Sequence, residues 1–198
     1  MEGSDEMEKK TDERILDFIN ARESSEMRKD ICNGEIKIAG IYYEFEKRDF
    51  FDEKFKIYMP NNFDDMPLDD RKIKYPSENR PEVIKCNEDG SITFTLNIIE
   101  SPLSEEKICE LKDGMKMIIK KTNPANVFFE DGVLEVNAKN IGFFEFKSSA
   151  IDDFLYNMMF FIEFYGKTLM GTFSCRYKDY KEWREVVFEV LKKIEVIK

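Results

Sequence analysis

Residues 154–175, FLYNMMFFIEFYGKTLMGTFSC, form the most apolar stretch of the chain and constrain its fold more than any other segment. Phe154, Tyr156, Met158, Phe160, Ile162 and Phe164 alternate there with Leu155, Asn157, Met159, Phe161, Glu163 and Tyr165. One side is wholly large and apolar while the other carries polar interruptions, the pattern of a strand covered fully on one face and partly on the other. Tyr165-Gly166-Lys167 offers a left-handed glycine position for a tight return, and 168–175 alternates again, with Leu169 and Phe173 on one side. A long central hairpin is expected, and the rest of the chain must supply layers that cover it.

Those layers can be read in order. Ile36 and Ile38 share one parity and Ile41, Tyr43 and Phe45 the other, with the phase flip on Gly40, which predicts a bulge or bend. Phe55, Ile57 and Met59 predict a second strand stopped by Pro60, and residues 61–81 are irregular, with room for one short helical turn. Residues 83–86 and 91–98 flank Glu88-Asp89-Gly90 as a hairpin. A helix over 102–121 is predicted with Ser101 as its cap, Pro102 at its first position, and Ile108, Leu111, Met115, Ile118 and Ile119 as its buried stripe. Asp131-Gly132 reads as a turn between strands 127–130 and 133–136, and 141–146 as a further strand. Asp179 and Glu182 read as a capping box for a helix over 179–195, whose stripe is Trp183, Val186, Val187, Val190, Leu191 and Ile194. The expected class is α+β: a mainly antiparallel sheet of meander hairpins packed with two long amphipathic helices.

Residues 1–34 differ from this body. They hold ten acids against six bases, and Thr11 could cap a short helix carrying Ile15, Leu16, Phe18 and Ile19, a stripe too narrow to stand alone in water. The expected organisation is an acidic N-terminal arm, residues 1–34, and one α+β domain over 35–198. The opening residues lack the apolar core of a secretory signal, so a cytoplasmic protein is expected. Cys32, Cys86, Cys109 and Cys175 are scattered and suit reduced thiols.

Charge and missing residue types exclude several functions. A net charge of -10 over 198 residues disfavours nucleic acid and anionic membrane surfaces as partners. The absence of histidine removes Ser-His and Cys-His nucleophile pairs and most zinc, copper and non-haem iron sites. Asp64, Asp65, Asp69 and Asp70 do not match an EF-hand loop and read as solvated turns, so neither a metal nor another cofactor is expected.

The order of elements resembles the PsbP-like fold shared by photosystem accessory proteins, small Ran-binding import factors and many uncharacterised bacterial proteins. The resemblance spans residues 35–197. It is carried by FKIYMPNNF at 55–63, a strand ending in proline, by YPSENRPEVI at 75–84, a proline-flanked passage into a hairpin, and by the last helix after a long meander. The resemblance implies a layered α/β/α sandwich serving as an accessory or partner-binding module. It departs from better-known members in the acidic arm.

The single basic patch, Arg71, Lys72, Lys74, Tyr75, Arg80 and Lys85, supplies the candidate binding residues Arg71, Lys74, Tyr75 and Arg80. Arg80 is a fork-shaped donor set, Tyr75 an amphipathic ring, and Pro76 and Pro81 stiffen the connection. No residue is expected to be catalytic. The expected function is a non-catalytic module binding a protein partner, with an enzyme or sensor for a small anionic metabolite as the alternative.

Overall fold

The computed structural model describes residues 30–197. In chain order its strands are β1 (Glu35–Ile38), β2 (Ile41–Phe50), β3 (Phe55–Pro60), β4 (Asp64–Asp65), β5 (Val83–Cys86), β6 (Thr93–Pro102), β7 (Val127–Val136), β8 (Lys139–Ser149), β9 (Phe154–Phe164), β10 (Lys167–Arg176) and β11 (Glu195–Val196). Helix α1 (Leu68–Lys74) lies between β4 and β5, α2 (Ile108–Thr122) between β6 and β7, and α3 (Tyr180–Lys192) between β10 and β11.

The central hairpin is where the alternation puts it. β9 and β10 pair in register from Lys167↔Phe164 to Arg176↔Leu155 around Tyr165 and Gly166, both at positive φ. They lie inside a seven-stranded sheet of order β4-β5-β6-β10-β9-β8-β7, while β1-β2-β3-β11 form a second, four-stranded sheet. Every pairing among the described residues is antiparallel, as the run of hairpins requires.

Two faces of the large sheet carry two cores. On one, Phe143, Phe160, Ile162 and Phe173 pack with Trp183, Val186 and Val187 of α3 and with Tyr43, Phe55 and Ile57 of the small sheet. On the other, Phe144, Phe146, Met159 and Phe161 are covered by Leu111, Met115 and Ile119 of α2. Adjacent residues of β8 and β9 thus feed opposite layers, because successive side chains of a strand point to opposite faces. At the centre, Phe160 faces Gly171 across the pair, and a Cβ at Gly171 would lie 2.0 Å from the Phe160 ring. The missing side chain makes room for the ring. Gly171→Ala is therefore expected to cost about 1–3 kcal/mol by overpacking. Denaturant unfolding of the variant in wild-type and Phe160→Leu backgrounds checks this, since the smaller side chain should remove most of the loss.

Several local expectations are corrected. Asp131-Gly132 is not a turn: β7 runs through it, with a register shift between Phe128 and Asp131. Lys112 and Lys116 of α2 both bond the Asp131 carboxylate and hold it in the strand. The reversal comes at Asn137 and Ala138, both at positive φ, in a two-residue turn. Gly40 is likewise the second residue of a turn, Ala39-Gly40, rather than a bulge within a strand. Its consequence is that Ile41 and Tyr42 are exposed. Ser101 and Pro102 do not start a helix; they continue β6, and α2 begins after a 3-10 turn at Glu105–Lys107. At α3 the Asp179 side chain caps nothing, and Glu182 instead accepts a hydrogen bond from the Ala39 N–H at 2.9 Å. In α2, Lys112 takes a buried place in the stripe and Ile118 is left 57% exposed.

The expected arm and its short helix fall on residues 1–29, outside the described residues. Ile31, by contrast, is 1% exposed and packs in the main core.

Candidate functional site

The candidate residues Arg71, Lys74, Tyr75 and Arg80 come together beside β4 and β5. Arg71 and Lys74 sit on α1, which places Asp69 and Asp70 in its first turn and Arg71, Lys72 and Lys74 in its last, the order its dipole favours. The helix buries no residue, and Leu68 and Ile73 stand exposed on it. What holds α1 is polar. Arg71 donates from Nε to the Met66 carbonyl at 2.6 Å and from Nη2 to Asp65 at 3.2 Å, while Lys85 binds the other Asp65 oxygen at 3.0 Å. Lys74 donates to the Gly90 carbonyl at 2.8 Å, and burial pulls its pKa down. Tyr75 packs half-buried on Met66, Ile84 and Cys86, and burial pushes its phenol up. Arg80 donates from Nε to the Tyr75 carbonyl at 2.6 Å and is otherwise exposed. Three of the four residues therefore spend donors on backbone carbonyls, Arg71 and Arg80 within their own loop and Lys74 on the turn between β5 and β6.

The concavities beside this patch carry the opposite charge. One, of about 250 Å³, is bordered by Asp70, Glu88 and Asp89 against the single cation Lys74. Its neighbour, of about 380 Å³, has Asp64, Asp65 and Glu88 on its wall. A small anion entering either would meet more carboxylates than cations, which weighs against the metabolite alternative. The acids are themselves partly engaged, Asp65 by Arg71 and Lys85 and Asp69 by Lys72.

A second constellation was not singled out in the sequence. Glu145 on β8, wholly buried, accepts from the Tyr156 hydroxyl at 2.5 Å and from Arg184 Nε and Nη2 at 2.7 and 2.8 Å; Arg184 also reaches Glu130. Burial, with Glu145 beside it, pushes the Tyr156 phenol far up. Perturbed groups often mark active sites, but here Glu145 and Tyr156 are enclosed and each is satisfied, with Arg184 closing the network from the surface, the arrangement of a structural network. A visible signal existed: Glu145 is a lone acid inside the apolar run GFFEF. Burial raises the thiols of Cys86 and Cys175, which makes these two poor nucleophiles.

A third feature is an open apolar groove of about 300 Å³ along α2. Its walls are Pro102, Leu103, Leu111, Met115 and Ile118, with Lys107 and Glu110 at its rim. Lys107, Leu111, Gly114 and Ile118 share one stripe at helical spacing, beside the stripe that meets the sheet. A Cβ on Gly114 would touch nothing within 4 Å, so the glycine widens the groove. Met117 beside it is 70% exposed. Beyond Asp113 the charged residues of α2 are Lys116, Lys120 and Lys121, and no ion pair involves Lys107, Lys120 or Lys121 among the described residues. Apolar side chains and these lysines thus share one helix, with Glu110 as the acid in the groove lining.

No family model and no curated protein matches this chain. Solved structures do. Cyanobacterial PsbP from Synechocystis sp. PCC 6803 superposes with a TM-score of 0.57 at 10% identity, covering 83% of this chain and 96% of its own. LpqN of Mycobacterium tuberculosis, described as involved in cell envelope biogenesis, gives 0.52 at 7% identity over 81% and 95% of the two chains. A Bacteroides thetaiotaomicron VPI-5482 protein gives 0.50 at 11% identity, covering 77% of this chain and 48% of its own. The chain has a PsbP-like α+β fold. No helix among the described residues is long and apolar enough to cross a membrane.

Proposed function

We propose that this protein is a non-catalytic accessory module that binds a protein partner in the cytoplasm, and that the groove along α2 is the contact. The observation that carries the reading is the meeting of apolar walls, at Leu111, Met115 and Ile118, with Lys107 at the groove and Lys120 and Lys121 at the end of α2, none of which forms an ion pair among the described residues. A groove of this shape suits an amphipathic segment that inserts apolar side chains and presents acids to the lysines. The neighbouring structures supply only the fold, and fold alone does not fix a function.

A second contact is favoured by Leu68 and Ile73, which stand exposed on α1. Arg71, Lys74, Tyr75 and Arg80 would then frame an auxiliary surface, with the free donors of Arg80 meeting acidic groups of the partner.

Affinity capture with wild-type protein and three variants separates these surfaces. Ile118→Glu places a charge in the groove, and Gly114→Met fills it while removing a helix-weakening glycine. Both are expected to weaken the captured complex about tenfold, or 1.4 kcal/mol, with no loss of thermal stability. Tyr75→Ala with Arg80→Ala tests the auxiliary surface. Undiminished capture by both groove variants would overturn the proposal, and a loss confined to the Tyr75 and Arg80 pair would move the contact to α1.

A further inference from the structure

We propose that the partner seated on α2 is a second copy of this chain, with the two α2 helices antiparallel across a two-fold axis level with residues 115 and 116. The inference rests on the α2 surface being a docking site and names its occupant.

The stripe of α2 that lies opposite its buried residues, Ile108 and Lys112, is Glu110, Gly114, Met117 and Lys121, at i, i+4, i+7 and i+11. Met117 is 70% exposed, and a Cβ on Gly114 would touch nothing within 4 Å. The order of these four residues is its own complement. Turned end for end, the same stripe sets Met117 against Gly114 and Lys121 against Glu110, and each contact is made twice, as an isologous interface requires. A bulky side chain thus enters the space that a missing one leaves, and acid meets base at both ends.

The two flanks of the stripe agree with this pairing, because a two-fold axis across antiparallel helices sets each flank beside the same flank of the other copy. On the groove side, Leu111 and Ile118 meet their own counterparts and enlarge the apolar contact. On the other side, Asp113 comes within one turn of Lys120 of the other copy. Glu110, Lys120 and Lys121 form no ion pair among the described residues, and Asp113, paired with Lys112 at 2.6 Å, keeps 59% of its side chain exposed. Lys107 lies level with residue 124 of the other copy, past the end of the facing helix at Thr122. Exposed ion pairs mainly fix register, so the apolar contact carries the association. With 15 residues α2 is about 22 Å long, which makes the interface a small one and gives a dimer Kd of about 10 µM. The charge of -10 on each chain opposes association at long range, and at about 0.15 M salt it is screened beyond roughly 8 Å.

Sedimentation velocity on the full chain tests this, and the wild type should pass from monomer to dimer over about 1–100 µM. Glu110→Lys and Lys121→Glu each set like charges against one another at both ends of the stripe and should raise the dissociation constant about tenfold or more. An equimolar mixture of the two variants should dimerise as the wild type does, since each brings the charge that the other lacks, and thermal melting of each alone shows that it is folded. A wild type that stays monomeric to about 100 µM, a dimer that both variants leave intact, or a mixture no more associated than either variant alone would overturn the proposal. If the wild type is monomeric while Gly114→Met still weakens capture, the second copy is dismissed and the groove belongs to a different protein. If the mixture restores a dimer that the single variants lose, while Gly114→Met and Ile118→Glu leave capture intact, α2 is the seat of the second copy and the captured partner binds elsewhere.

Discussion

Phe160→Asp is expected to leave no cooperatively folded protein at room temperature. The ring is buried at the middle of β9, stands over Gly171 on β10, and faces the layer that holds Trp183 and Phe173. Removing it costs about 3–5 kcal/mol as a cavity. Placing a carboxylate there without a partner adds about 2 kcal/mol or more. The sum is comparable to the whole stability of a domain, about 5–15 kcal/mol. Phe160→Leu keeps the site apolar and should lose far less, which separates the charge from the change of volume. Circular dichroism with a urea titration reads the result. A cooperative melt of Phe160→Asp close to that of the wild type would mean that the face of β9 is wrongly assigned.

Arg184→Ala is the second large effect, expected at about 3–5 kcal/mol because it strands a buried charge. Glu145 has no solvent to turn to, and it would keep only the Tyr156 hydroxyl as a donor. Arg184→Lys should recover only part of the loss, since an ammonium cannot reproduce the two-point contact that Nε and Nη2 make with the carboxylate. The pair Arg184→Met with Glu145→Leu should return most of the stability, as an apolar replacement for a buried ion pair often does. A double-mutant cycle on denaturation free energies measures this coupling. Additive losses from the two sites would show that they do not interact as the structure has them.

These two sites mark how far the residues alone could be read. Phe160 was legible because a strand's faces follow from parity within a few residues, and its neighbours on both sides alternate without a break. The same local rule located the stripe of α3, in which Trp183, Val186, Val187, Val190 and Leu191 are all buried, although the helix stops at Lys192 and the buried Ile194 lies beyond it. Arg184 lies one residue from Trp183 and carried no such signal, because its meaning depends on Glu145, 39 positions away.

The failures share that cause. Asp131-Gly132 has the composition of a turn, yet two lysines of α2 claim the aspartate and the chain continues as a bulged strand. Asp179 and Glu182 have the spacing of a capping box, yet the glutamate is taken by the Ala39 amide of another hairpin. The candidate donors at 71–80 could be placed on one loop, but not their direction, which turned toward the carbonyls of Met66, Gly90 and Tyr75. The groove was hidden because Ile118 satisfies the helical stripe as well as Ile119 does, and only the docking angle of α2 decides which of them meets the sheet.

By itself, then, the sequence determined the central hairpin and its faces, the antiparallel class and the two long helices, because hydrophobic periodicity acts over neighbouring residues whatever the rest of the chain does. The tertiary structure alone decided which charges pair, where β7 bulges, and which side of α2 stays open. Those outcomes turn on competition between polar groups far apart in sequence, and each is settled only when folding brings the competitors within hydrogen-bonding distance.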